Sequence, residues 1–132
     1  MGTFSSLEEA REYFSRDKFA AENNIELTGI GEDWCECRMT LRPEHVNANG
    51  GIMGGVIFTL ADFAFAVVTN NIHMPSVAQQ ISINYLNAPK GKVLTAKARC
   101  RKSGRTSTIV NVDIYDEEGR DIAQFTGTGF KL

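Results

Sequence analysis

Cysteine, proline, histidine and tryptophan are all scarce in this chain: three, three, two and one among 132 residues. Three cysteines make an odd count with no disulfide framework, which fits a reducing compartment. Cys35-x-Cys37 offers too few ligands, too closely spaced, for a zinc site. Strand alternation instead puts Cys35, Cys37, Met39 and Leu41 on one face and Trp34, Glu36, Arg38 and Thr40 on the other, so the thiols read as core filler. Long apolar runs are missing too. The longest, 56–68, is interrupted by Thr59 and Asp62 and is too short to cross a bilayer. No basic-then-apolar signal pattern opens the chain, so a cytoplasmic protein with no membrane partner is expected. No repeat, linker or low-complexity segment divides it. One domain over 1–132 is expected, with a helical segment in 1–22.

Acidic residues are absent from 63 to 112, although the chain carries a net charge of -2 overall. The overall balance argues against a nucleic-acid partner. The acid-free stretch holds Lys90, Lys92, Lys97, Arg99, Arg101, Lys102 and Arg105. Such segregation points to an anionic ligand. Lys97 and Arg99 alternate with Ala96, Ala98 and Cys100 and read as the solvent face of a strand. Lys102-Ser103-Gly104-Arg105-Thr106 is different. A glycine turn with two cations and two hydroxyls is a candidate phosphate clamp. It is not a P-loop, since no Gly-Lys-Ser/Thr closes a glycine run.

The densest signal lies between these regions. Asn47-Ala48-Asn49-Gly50-Gly51-Ile52-Met53-Gly54-Gly55 leads into an almost wholly apolar helix with one carboxylate, Asp62. Helices apolar all round are buried ones. No Lys or Arg occurs from Ile52 to Met74 to pair with Asp62 locally. A buried carboxylate without a partner is costly or has a raised pKa, which suggests a functional group. The bland reading is a thin wet face or a backbone amide that satisfies it.

Periodicity supplies the layout. Ser6-x-x-Glu9 is a capping box ahead of a helical stripe of Leu7, Ala10 and Phe14. Strands are expected over 25–30 and 34–41, a loop over 42–55, and the long helix over 56–70. Period-two strands follow over 77–86, 93–102, 106–115 and 122–130. A sheet wrapped round one apolar helix, an α+β arrangement, satisfies this order.

The string Asn47-x-x-Gly50-x-x-Met53-Gly54-Gly55, with Leu60-Ala61-Asp62, resembles the hotdog-fold acyl-CoA thioesterases of the phenylacetic-acid-degradation type. That family's motif is N-x-x-G-x-x-H-G-G, followed by a triplet ending in Asp nine residues after the histidine. Lys102-Ser103-Gly104-Arg105 matches its K-x-G-[KR] turn, and Tyr85 with Pro89 matches an aromatic and a proline that close a strand. The resemblance runs from Ala20 onward. It implies an antiparallel sheet around one long helix, and hydrolysis of an aryl or medium-chain coenzyme A thioester. Asp62 would be the general base or nucleophile. The Gly54 and Gly55 amides, at a helix N-terminus, would bind the oxyanion. Asn47 would orient the water or thioester. Met53 and Gly55 would lie against the substrate, and Lys102, Ser103, Gly104, Arg105 and Thr106 would hold coenzyme A. No metal and no cofactor beyond the substrate's own coenzyme A is implied. The family's sites are shared by two subunits, which implies a homodimer and, beyond it, a homotetramer.

Met53 stands where the family has histidine, and methionine cannot donate a hydrogen bond. Ala78 stands where some members have serine. His45 lies in a loop that could fold back toward Met53; His73 reads as a surface residue. Phe58, Phe63 and Phe65 suit an acyl pocket or the core. Two other functions therefore stay open. One is an acyl-CoA binder without turnover. The other is a hotdog hydroxyacyl dehydratase, which would need a histidine with a carboxylate.

Overall fold

A computed structural model describes residues 2–132. Two short helices, α1 (Leu7–Phe14) and α2 (Lys18–Glu22), precede strands β1 (Ile25–Ile30) and β2 (Trp34–Thr40). A 3-10 turn at Pro43–His45 leads to the long helix α3 (Gly54–Ile72). Strands β3 (Ser76–Tyr85), β4 (Val93–Ser103), β5 (Ser107–Asp116) and β6 (Asp121–Lys131) complete one antiparallel sheet ordered β1-β2-β4-β5-β6-β3. This is the hotdog arrangement the sequence implies. At α1 only half of the expected capping box forms. The Ser6 hydroxyl accepts from the Glu9 amide at 3.1 Å, but the Glu9 carboxylate takes the Ser5 hydroxyl instead.

The sheet curls round α3 because alternate residues of every inner strand are apolar. Cys37, Leu94, Ala96, Val110, Val112 and Phe125 are fully buried against Leu60, Ala64, Val67 and the rest of the helix's inner face. The thiols of Cys35 and Cys37 are core, as the alternation requires, and Cys35 donates to the Ala64 carbonyl at 3.2 Å. On β6 two glycines make room for side chains of the helix. A Cβ at Gly127 would lie 2.6 Å from the Phe65 ring, and one at Gly129 would lie 2.7 Å from Thr69, so only glycine fits. Phe63 and Phe65 are core residues, packed on Phe14 and Phe125 respectively; Phe58 is half-buried on the other side of Phe125.

Helix α3 is longer than its sequence pattern indicates. Its 19 residues are long and apolar enough to cross a membrane by composition, but the sheet buries most of them. The two extra residues at each end, Gly54 and Gly55 at the start and Asn71 and Ile72 at the finish, carry no apolar signal as a group. Asn71 is buried, its side chain donating to Gly31 O and accepting from the Phe4 amide.

Two edges end the sheet. β1 is short and irregular between Leu27 and Gly29. β3 is ten residues long and pairs only with β6 among the described residues. Its sequence, SVAQQISINY, carries no charge.

Candidate active site

Asp62 sits two turns into α3, on a thin half-open stripe with Thr59, Ala66 and Asn70, rather than in the deep core. Its carboxylate makes no hydrogen bond or ion pair among the described residues. Partial burial pushes the carboxyl above its ordinary value, and the Asp17 carboxylate at the start of α2 adds to the rise. The arrangement suits a proton acceptor held near a water-poor surface.

The first turn of α3 is the second component. The amides of Gly54 and Gly55 make no hydrogen bond among the described residues, and they coincide with the positive end of the helix dipole. Met53 precedes them as N-cap, half-exposed, with no side-chain capping bond. Its terminal methyl lies 2.9 Å from where a Gly55 Cβ would stand, so the thioether lies against Gly55. The Tyr85 hydroxyl, from the end of β3, donates to the Gly54 carbonyl at 3.1 Å. Ile52, Gly54, Ile57, Tyr85, Leu86 and Pro89 border a cleft of about 350 Å³ beside this turn.

The loop ahead of α3 is knitted by Asn47. Its Oδ1 accepts from the Asn49 amide at 2.9 Å and the Gly51 amide at 3.1 Å, and Val46 bridges to Ile52. The carbonyl oxygen is thus engaged in the loop, while Nδ2 makes no hydrogen bond among the described residues. His45 does come back to Met53, through its carbonyl, which accepts from the Met53 amide at 2.9 Å. Its buried ring is occupied elsewhere. The Arg42 amide donates to Nδ1, and Nε2–H donates to Asn23 Oδ1. Burial and the nearby Arg42 hold the imidazole below its ordinary pKa, with Glu44 opposing.

The third component is the β4–β5 hairpin. Lys102, Ser103, Gly104, Arg105 and Thr106 are all exposed, and the turn closes through Gly104 N–H donating to Ser107 O at 2.7 Å. Lys102 and Ser103 line a cleft of about 410 Å³ at the C-terminal end of α3, together with Glu32, Asp33 and Ile72. Those acids weaken the cleft as an anion site. Arg105 and Thr106 are not among the residues lining it. His73 does more than face solvent: its Nε2–H donates to the Gly104 carbonyl at 2.7 Å and ties the helix end to this turn. Lys97 and Arg99 are exposed, with long contacts to Glu36 and Asp33 at 4.0 and 3.8 Å.

One chain does not bring these components together. Eight residues of α3 separate Gly54 from Asp62, about 12 Å along the axis at 1.5 Å per residue. The hairpin meets the opposite end of the helix, about 28 Å from Gly54 by the same rise.

A family model described as the thioesterase superfamily matches residues 49–123, more than half of the chain. The chain belongs to the thioesterase superfamily. The match includes Met53, Gly54, Gly55, Asp62 and the hairpin, and it begins just after Asn47. This thioesterase is 27% identical over 124 residues to the acyl-coenzyme A thioesterase PaaI of Escherichia coli, covering 93% of this chain and 89% of that one. It is 34% identical over 112 residues to a putative esterase of Deinococcus radiodurans, covering 83% and 76%. A hypothetical thioesterase from Streptococcus pneumoniae, solved with coenzyme A, superposes with a TM-score of 0.84 at 33% identity over 92% of this chain and 95% of that one.

Proposed function

We propose that this thioesterase hydrolyses coenzyme A thioesters, of aryl or medium-chain acids, at a site built by two subunits. The observation that carries the reading is the pairing of a partnerless, proton-hungry carboxylate with two unbonded amides on one helix, too far apart to meet within one chain. The likeness to PaaI and to the coenzyme A-bound structure supports the substrate class.

The uncharged edge of β3 supports the assembly. A ten-residue edge without charge invites another strand along most of its length, although its pairing with β6 shifts register once, between Ala78 and Gln80; natural edges that must stay free are usually charged, short or bulged. Two copies joined there about a two-fold axis set their α3 helices antiparallel. That geometry can carry Gly54 of one subunit toward Asp62 of the other. A tetramer would join two such dimers.

In the proposed reaction the thioester oxygen is held by the Gly54 and Gly55 amides of one subunit. Negative charge develops there as the tetrahedral intermediate forms, and fixed amide donors stabilise it. Asp62 of the other subunit takes a proton from water, or attacks the carbonyl carbon itself. As base, Asp62 lets the water oxygen bond to the carbonyl carbon, the C–S bond breaks, and the departing coenzyme A thiolate recovers the proton; as nucleophile, Asp62 displaces the thiolate to form a mixed anhydride, which water then hydrolyses to the free acid. Asn47 Nδ2 is the free donor that would orient the water or the thioester. The Lys102–Thr106 hairpin holds the nucleotide of coenzyme A. The reaction takes no separate cofactor, and the site is cytoplasmic in this reading.

A thiol-release assay across aryl and straight-chain acyl-CoAs tests the reading. Turnover with saturation on at least one substrate is expected. Tight acyl-CoA binding without thiol release would leave the binder reading, which Met53 favours because it removes the family's side-chain donor.

A further inference from the structure

Tyr85 and Gly54 are 31 residues apart, yet they meet at the point where the reaction is expected to occur. The Tyr85 hydroxyl donates to the Gly54 carbonyl at 3.1 Å. The ring lies flat enough over Gly54 that a Cβ there would stand 3.3 Å from Cζ and 3.4 Å from the hydroxyl oxygen. Tyr85 is half-exposed, so this bond is not forced by burial of an otherwise orphaned hydroxyl.

The Gly54 carbonyl and the Gly55 N–H belong to the same peptide unit. A donor on the carbonyl side therefore acts on the amide side in two ways. It adds a second anchor to that unit in the first turn of α3, where the two glycines supply no side chain to restrain it. It also withdraws electron density toward oxygen and makes the N–H a stronger donor, as in any hydrogen-bonded chain of amides.

We propose that Tyr85 is a positioning residue for the oxyanion-binding amides: its hydroxyl, acting through the Gly54 carbonyl, aims and polarises the Gly55 N–H. The inference rests on the thioesterase reading above. A side chain at position 54 would crowd the ring and shift it by a few tenths of an ångström.

The effect belongs to the transition state. The oxyanion needs the amide more than the ground-state thioester does, so losing the hydroxyl lowers kcat and leaves KM nearly alone. Tyr85→Phe keeps the ring. It is expected to cost about fivefold to tenfold in kcat, a fraction of what removing an oxyanion donor outright costs. A merely structural tyrosine would not alter one amide electronically. In protein labelled with 15N-glycine, the Gly55 amide proton is expected to move upfield in Tyr85→Phe, with the glycines distant from α3 unmoved. Either of two results overturns the proposal. One is a kcat within twofold of wild type in Tyr85→Phe. The other is a kcat loss with the Gly55 resonance unmoved. Failure of the hydrolase reading looks different, because the wild-type enzyme would then release no thiol from any acyl-CoA.

Discussion

At the scale of single residues, Asp62 carries the largest share of the account. Its folded pKa is raised above the ordinary value of about 4. Two consequences follow with definite signs. As a base or nucleophile it must be ionised, so kcat/KM should climb with pH through a value above that of an ordinary aspartate. As a group whose ionised form is disfavoured by folding, it leaves the fold most stable below about pH 4, and that stability is lost as pH rises through the raised value. Asp62→Asn should therefore lower kcat by about 10²-fold or more while raising the melting temperature at pH 8, with the gain vanishing near pH 4. A mutant that keeps near-normal kcat would remove Asp62 from the chemistry. Met53 makes a complementary case. Its half-exposed side chain lies against Gly55, outside the core, so replacing it costs little packing. Met53→His should then raise kcat/KM on the best acyl-CoA with little change in melting temperature, because it supplies a donor where the amides already point. A fall in kcat/KM in a folded protein would mean that methionine serves the acyl pocket instead.

At the scale of elements, two hairpins carry opposite duties. The β5–β6 turn holds the fold. Asp116 is buried, and its carboxylate accepts from the amides of Lys90, Gly91, Glu118 and Arg120, while Glu117 accepts from Lys92 and Val93. Burial alone would raise the Asp116 carboxyl, but the backbone amides of Lys90, Arg120, Gly91 and Glu118 outweigh it and hold it low. Stability from this group is present above about pH 4 and lost as pH falls through the lower folded value. Asp116→Asn should lower the melting temperature at pH 7, with the deficit shrinking in acid; thermal scans across pH check this. The β4–β5 turn is the proposed nucleotide clamp. Contacts to a nucleotide far from the reacting carbonyl give uniform binding, so Arg105→Ala should raise KM several-fold, more at low salt, with kcat little changed. Lys102→Ala should do less, because Lys102 lines a cleft shared with Glu32 and Asp33. Equal losses from Arg105→Ala on a pantetheine thioester without the nucleotide would contradict the clamp. The strands were legible in the sequence because alternation of Cys35, Cys37 and Met39, or of Val110, Val112 and Ile114, is a local signal. The ends of α3 were less so: Gly54, Gly55 and Asn71 join the helix through capping and long-range bonds that periodicity does not record. The Tyr85–Gly54 and His73–Gly104 contacts were invisible for the same reason, each joining residues more than 30 positions apart.

At the scale of the whole molecule, the helix itself sets the problem. Gly54 and Asp62 were legible as candidates from their spacing in the chain, but spacing on a rigid helix also keeps them about 12 Å apart. In the function proposed above, a second copy of the same helix completes the site, brought in along the uncharged β3 edge. An isologous dimer then has two sites, each made from both chains. Mixing subunits tests this directly. Asp62→Asn chains retain intact glycine and Asn47 elements, and Asn47→Ala chains retain Asp62. The measurement requires each parent to be folded and inactive, and the chains to be exchanged by unfolding and refolding together. A statistical mixture places half of the dimers in the mixed form, with one intact site of two, so about a quarter of wild-type activity should return. Activity no higher than the average of the two parents would contradict a shared site and place each catalytic centre within a single chain.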